Sequence, residues 1–179
     1  MKKISIILSA IIALLLVLYW YIGGFESMNV KKQLYGGFII AGLEFKGPYH
    51  LVTASMEQAD SIARSLGVNS TRGFGVYYDN PETTPDTALR SFVGNIIEKD
   101  DYSKIEALKK AGLRIDSVPE VSSLVIEMKI RTKFAYMIGP MKAYPKLQKA
   151  IQDNSCIPQL TIEVYDIPAK RTYYVMQCK

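Results

Sequence analysis

Histidine occurs once, at His50, tryptophan once, at Trp20, and cysteine twice, at Cys156 and Cys178. With so few ligating and nucleophilic side chains, neither a Cys and His cluster of zinc-ligand spacing nor a Ser-His-Asp arrangement has support. No metal or cofactor site is predicted. Two cysteines in 179 residues also exclude a disulfide-dense secreted miniprotein. Gly73-Phe74-Gly75 lacks the third glycine and the following helix of a dinucleotide fingerprint and reads as the beginning of a strand. Charge is nearly balanced: outside Lys2 and Lys3, 20 Lys and Arg face 17 Asp and Glu, a net of +3. That excess is no electrostatic footprint for nucleic acid, and no nucleic-acid partner is expected.

What the sequence does hold is one long apolar run. Between Ile4 and Ile22, 17 of 19 residues are apolar and none is charged. A helix of that length spans about 28 Å, close to the roughly 30 Å hydrocarbon core of a bilayer. Lys2 and Lys3 before the run also fit a cleavable secretory signal. However, Tyr19-Trp20-Tyr21-Ile22 is bulky where a cleavage site needs small residues, and an aromatic cluster suits the water interface of a permanent anchor. The expected organisation is therefore a transmembrane anchor over 1–22, a tether over 23–34 and one domain over 35–179. Lys2 and Lys3 flank the run more closely than Lys31 and Lys32, which predicts a domain outside the cytoplasm, with the opposite orientation still open. In an oxidising compartment Cys156 and Cys178 can pair; in a reducing one they are two thiols.

After the tether, strand-like and helix-like periods alternate. Phe38 to Phe45 is β-prone. Val52, Met56, Ala59, Ala63 and Leu66 recur at helical spacing up to a stop at Gly67. Phe74 to Tyr78 and Leu89 to Ile97 read as a strand and its return. Tyr102, Ile105 and Leu108 mark a second helix ending near Gly112. Leu124 to Arg131 alternates with period two, and the strand is expected to run on into Phe134 to Ile138. Gly139-Pro140-Met141 then precedes a short helix with Leu147, Ala150 and Ile151. Leu160 to Asp166 and Thr172 to Gln177 form a terminal hairpin.

The two halves share an order of strand, Gly-Pro, helix, Tyr-Asp-x-Pro and strand. The Gly-Pro marks are 92 residues apart and the Tyr-Asp marks 87 apart. That order predicts an internal βαββ duplication.

Gly75-Val76-Tyr77-Tyr78-Asp79-Asn80-Pro81, followed by Pro85, Leu89-Arg90 and Val93-Gly94, resembles the first-hairpin signature of the GyrI-like small-molecule-binding family. Phe134-Ala135-Tyr136 before Gly139-Pro140, and Glu163-Val164-Tyr165, fit its second half. That family includes effector-binding domains of AraC-type and MerR-type regulators. The order of anchor then domain, with Tyr144-Pro145-Lys146-Leu147 and Tyr102 to Pro119, is also similar to membrane-anchored autophagy receptors of the endoplasmic reticulum. Those carry a long disordered tail after the domain, and this sequence ends at Lys179, so their receptor role is not expected to carry over. The resemblance implies an α+β fold of two pseudo-twofold βαββ repeats, with an antiparallel sheet, helices on one face and a ligand cleft between the halves.

The hairpin can be read residue by residue. Leu160, Ile162 and Val164 form an apolar face suited to cover the helices, and Glu163 and Tyr165 share the opposite face. Pairing Asp166 with Arg171 places Glu163 opposite Tyr174. The repeat offset makes Val76 and Tyr78 the first-half equivalents of Glu163 and Tyr165. The predicted ligand site is therefore Glu163, Tyr165, Tyr174, Tyr78 and Val76. One carboxylate among tyrosines suits an amphipathic or cationic organic molecule, through cation–π contact and charge compensation. In the family the matching Glu is the pocket acid of several drug-binding members, a role the resemblance assigns to Glu163. Some relatives hydrolyse strained electrophiles in the same cleft, so Glu163 with Tyr78 or Tyr165 is also a candidate acid or base pair. A protein-interaction adaptor is a third reading.

Overall fold

A computed structural model describes residues 2–179. The apolar run forms helix α1 (Lys2–Tyr21), whose side chains from Ile4 to Trp20 are exposed. Ile4–Tyr21 is long and apolar enough to cross a membrane, a property it shares with signal sequences.

Strands β1 (Val30–Tyr35), β2 (Phe38–Lys46), β3 (Arg72–Tyr77), β4 (Arg90–Ile97), β5 (Arg114–Val118), β6 (Val121–Lys129), β7 (Pro158–Asp166) and β8 (Arg171–Cys178) make one antiparallel sheet in the order β1-β6-β8-β7-β3-β4-β2-β5. Helices α2 (Thr53–Ser65), α3 (Ile105–Lys110) and α4 (Ala135–Asp153) complete an α+β fold.

Connection lengths force the sheet to roll. Gly36 and Gly37 alone carry the chain from β1, at one edge, to β2, beside the other edge, and Pro119 and Glu120 alone join β5 to β6. Two linking residues reach about 11 Å at most, so the edges must lie close together. The Gly37 amide donates to the Val118 carbonyl at 2.8 Å. Gly36 has φ +128°, and a Cβ there would stand 2.0 Å from the Pro119 carbonyl oxygen, so this crossing requires glycine.

Both faces of the rolled sheet are apolar. The inner face holds Ile40, Phe74, Val76, Phe92, Val125, Ile162, Val164 and Val175 in a cluster drawn from strands alone. On the outer face, Ala59 and Ala63 of α2 meet Ala41 and Ile97, and Ala135, Ala143 and Leu147 of α4 meet Leu124, Ile126 and Tyr174. Ile162 and Val164 therefore face the strand-only interior. Glu163 and Tyr165 lie on the helix side, the reverse of the expected assignment. A rolled sheet needs an apolar inner face with no helix, which alternation along one strand does not reveal.

Three further expectations change. Val30–Tyr35, whose residues 30–34 are expected in the tether, is the edge strand paired with β6. Its exposed Lys31, Lys32 and Gln33 give the charged composition by which edge strands resist further pairing. Phe134 to Ile138 does not continue β6, because α4 begins at Ala135 and runs 19 residues through Pro140 and Pro145. Each proline removes one helical donor. Burial of the small-residue stripe Ala135, Gly139 and Ala143 against the sheet overrides that cost and the β-prone composition. Strand β5 carries too little apolar pattern to be seen in the sequence, with Arg114 and Ser117 exposed.

Candidate functional site

The terminal hairpin has the predicted register, with Asp166 opposite Arg171 and Glu163 opposite Tyr174. On the other side of β7, Glu163 pairs with Gly75 of β3. Directly paired residues project to the same face, so Glu163, Gly75 and Tyr174 all point toward the helices. Gly75 leaves room for a neighbour: a Cβ there would lie 2.8 Å from the Tyr77 hydroxyl, which folds back over it.

Glu163 is 5% exposed, and tyrosine hydroxyls occupy both of its carboxylate oxygens. Tyr144, from α4, donates to Oε1 at 2.7 Å, and Tyr165 donates to Oε2 at 2.7 Å. The Tyr77 and Tyr165 hydroxyls are 3.2 Å apart. With the Tyr165 proton donated to Glu163, Tyr77 is the donor in that contact. Aromatic edges enclose the chain of hydroxyls: Tyr136 of α4 meets Tyr165 at 5.8 Å, and Tyr49 meets Tyr77 at 4.7 Å. Tyr49 is fixed in turn, donating to the Asp79 carbonyl at 2.8 Å and accepting from the Asp79 amide at 3.0 Å.

Burial pushes the Glu163 carboxyl above the ordinary range, opposed by the bonds from Tyr144 and Tyr165. Burial first, then the nearby Glu163 charge, holds Tyr77, Tyr144 and Tyr165 well above the usual phenol value. These tyrosines are neutral donors across the physiological range. Among the described residues this buried acid is held by neutral hydroxyls and no cation compensates it, the arrangement that favours an incoming positive charge.

Of the predicted site residues, the structure brings together Glu163, Tyr165 and Tyr174. The Tyr174 hydroxyl is buried beneath α4 and has no hydrogen-bond partner among the described residues. Val76 and Tyr78 are not beside Glu163. Val76 pairs with Ile162 and belongs to the inner cluster. Tyr78 is 43% exposed, its ring 5.9 Å from the Arg90 guanidinium and its hydroxyl 3.4 Å from the Arg114 donor. Alignment on the Tyr-Asp turn gives an odd offset of 87, and an odd offset moves a side chain to the other face. The even offset of 88 selects Gly75 and Tyr77, which the structure places there. Tyr144, Tyr77, Tyr136 and Tyr49 were not predicted. For Tyr77 the strand parity was the available signal; for Tyr144 and Tyr136 the misread start of α4 concealed their common helix. Among the described residues no three His, Cys, Asp or Glu side chains gather at one place.

A rolled antiparallel sheet with α2, α3 and α4 packed on its outer face defines an α+β domain. Residues 28–129 match the GyrI-like small molecule binding domain family, and the chain belongs to it. The matched stretch ends at Lys129, before Glu163. Testis-expressed protein 264 homolog of Mus musculus is 29% identical over 99 residues, 52% of this chain and 32% of that protein. The chain thus aligns with about a third of that relative's length. Among solved structures, the EcmrR C-terminal domain is 13% identical with a TM-score of 0.55, covering 85% of this chain and 98% of its own. The EcmrR–DNA complex determined by cryo-electron microscopy is 11% identical with a TM-score of 0.58, covering 99% of this chain and 68% of its own. At such identity these two show a shared fold.

Proposed function

We propose that this chain is a membrane-anchored binding module for amphipathic cationic organic molecules, held by α1 and recognised at Glu163. The observation that carries the reading is the buried Glu163 carboxyl, bonded at both oxygens to tyrosine hydroxyls and, among the described residues, without a cationic partner. Tyr165, Tyr144, Tyr77 and Tyr136 supply ring faces and edges for cation–π and stacking contact. A ligand reaches the acid when the Tyr144 or Tyr165 side chain swings aside, exchanging a hydroxyl bond for a charge contact. Family membership supports a small molecule as the ligand. The order of the sheet supports an ancestral duplication, since β2, β4 and β3 mirror β6, β8 and β7 about the β3–β7 seam. A bond between Cys156 and Cys178 supports a domain outside the cytoplasm.

The test is titration of the full chain in detergent with a fluorescent aromatic quaternary ammonium. Glu163→Gln keeps the shape and removes the charge, so binding should weaken by about 1.5 to 3 kcal/mol, the scale of charge-assisted contacts. Equal affinity in both proteins would reject the site. The raised carboxyl also favours a second reading, an acid or base for hydrolysis of a strained electrophile with Tyr165 assisting. Turnover of an epoxide by the wild type, lost in Glu163→Gln while binding persists, would select the hydrolase.

A further inference from the structure

Helix α4 carries an exposed apolar face that the ligand site does not use. Phe134, just before its first turn, is 62% exposed, Met137 70% and Met141 77%. Their spacing of three and four residues puts them on one side of the helix. The buried stripe Ala135, Gly139, Ala143 and Leu147 occupies the side packed on the sheet. Three large apolar side chains on one outward face need a reason.

Contacts between α4 and the segment leaving α1 locate this face. Lys146 donates to the Met28 carbonyl at 2.7 Å. One turn earlier, Lys142 donates to the carbonyls of Gly24 at 2.7 Å and Glu26 at 2.9 Å. Before the helix begins, the Arg131 guanidinium lies 5.8 Å from the centre of the Trp20 ring and 3.4 Å from the Glu26 carboxylate. Following α4 toward its N-terminus therefore follows the connecting segment back toward the apolar helix. At 1.5 Å per residue, Phe134 lies about 12 Å further toward the N-terminus of α4 than Lys142. Arg131, three residues before Phe134, reaches Trp20 at the aromatic end of α1.

The charge at this end fits the same surface. Lys129, Arg131 and Lys133 precede the helix, and the Ile130 amide donates to the Lys170 carbonyl at 2.8 Å, bringing the β7–β8 turn and its lysine alongside. All four cations are exposed. Exposed Phe and Met beside Lys and Arg make up the composition that lies in the headgroup layer of an anionic membrane.

We propose that the N-terminal turns of α4 seat on the bilayer that holds α1, with Phe134, Met137 and Met141 inserted at the headgroup boundary and Lys129, Arg131, Lys133 and Lys170 facing anionic lipid. The inference rests on the reading of α1 as a membrane anchor. Tyr136 lies between this face and Tyr165, so the Glu163 site would open beside the lipid surface.

The test places nitroxide labels, one at a time, on the full chain in vesicles of phosphatidylcholine and phosphatidylglycerol. Met137→Cys and Met141→Cys report the face, Leu14→Cys reports the anchor, and Glu57→Cys on the exposed side of α2 reports bulk solvent. Labels at 14, 137 and 141 should collide more with oxygen, which concentrates in lipid, than with a water-soluble nickel chelate; the label at 57 should show the reverse. Nickel-dominated collisions at 137 and 141, with oxygen dominating at 14, would overturn the seat and leave the anchor standing. Protection of 137 and 141 from both reagents would overturn it in favour of a protein partner. Nickel access at 14 would overturn the anchor and the seat together.

Discussion

Glu163 shows what burial does to a single acid. Its carboxyl is raised by desolvation, so the folded state holds the proton to a higher pH than the unfolded chain. The stability this group contributes is therefore complete below the unfolded carboxylate range, near pH 4, and is lost as pH rises through the folded value. Glu163→Gln removes that loss. The variant's Tm should exceed that of wild type at pH 8 and converge on it, or fall below it, at pH 4, as measured by thermal unfolding at both pH values. A pH-independent difference would show that the carboxyl does not titrate abnormally. The Glu163–Tyr174 pairing was legible in the sequence, because a short turn and strict alternation leave one register that keeps the apolar residues together. Val76 and Tyr78 were misplaced because turn motifs align loops, whereas side chains obey the parity of the strand. The orientation of the face was not legible at all, since both sides of β7 meet apolar layers.

At the level of elements, α4 illustrates how packing overrides local preference. Its close approach to β8 depends on Gly139, where a Cβ would stand 1.9 Å from the Tyr174 hydroxyl oxygen and 3.1 Å from Met128 Cε. Gly139→Ala improves intrinsic helix propensity by about 1 kcal/mol, yet the clash must push α4 or Tyr174 aside. The net result should be a loss of about 1 to 3 kcal/mol, as for other overpacked cores, measured by denaturant unfolding. Tyr174→Phe deletes the nearest clashing atom and a buried hydroxyl without a partner among the described residues. The double variant should recover part of the loss, with a coupling of at least about 0.5 kcal/mol. Strict additivity would show that the helix does not press on this ring. The same contact explains why the start of α4 was hidden: Phe134-Ala135-Tyr136-Met137-Ile138 reads as strand until Ala135 and Gly139 are recognised as the small side of a packed helix. Strands β2, β3, β4, β7 and β8 were legible from alternation and turns. The edge strands β1 and β5 owe their existence to partners distant in sequence, and their polar composition conceals them.

Across the whole molecule α4 acts as a ruler. Its 19 residues extend about 28 Å, from Phe134 at the proposed lipid surface past Tyr144 at the Glu163 site to the turn that carries Cys156. There Cys156 is bonded to Cys178, the last residue of β8, across a sequence separation of 22. A loop of that size stabilises a domain by about 3 kcal/mol when closed, and it fastens the far end of α4 to the sheet. The bond also ties stability to the compartment, because a reducing cytoplasm would leave two thiols and lose that contribution. The charge flanks of α1 point in the same direction, with Lys2 and Lys3 nearer to its apolar span than Lys31 and Lys32, which belong to β1. The expected result is a domain outside the cytoplasm with its disulfide formed. A membrane-impermeant maleimide applied to intact cells should leave the chain unlabelled until mild reduction and then add two labels, read as a stepwise mass shift. Labelling that requires lysis but no reductant would place the domain in the cytoplasm with free thiols. Reduction of the purified chain should meanwhile lower its unfolding free energy by the same 3 kcal/mol or so; no change would mean that the sheet holds the end of α4 without the bond.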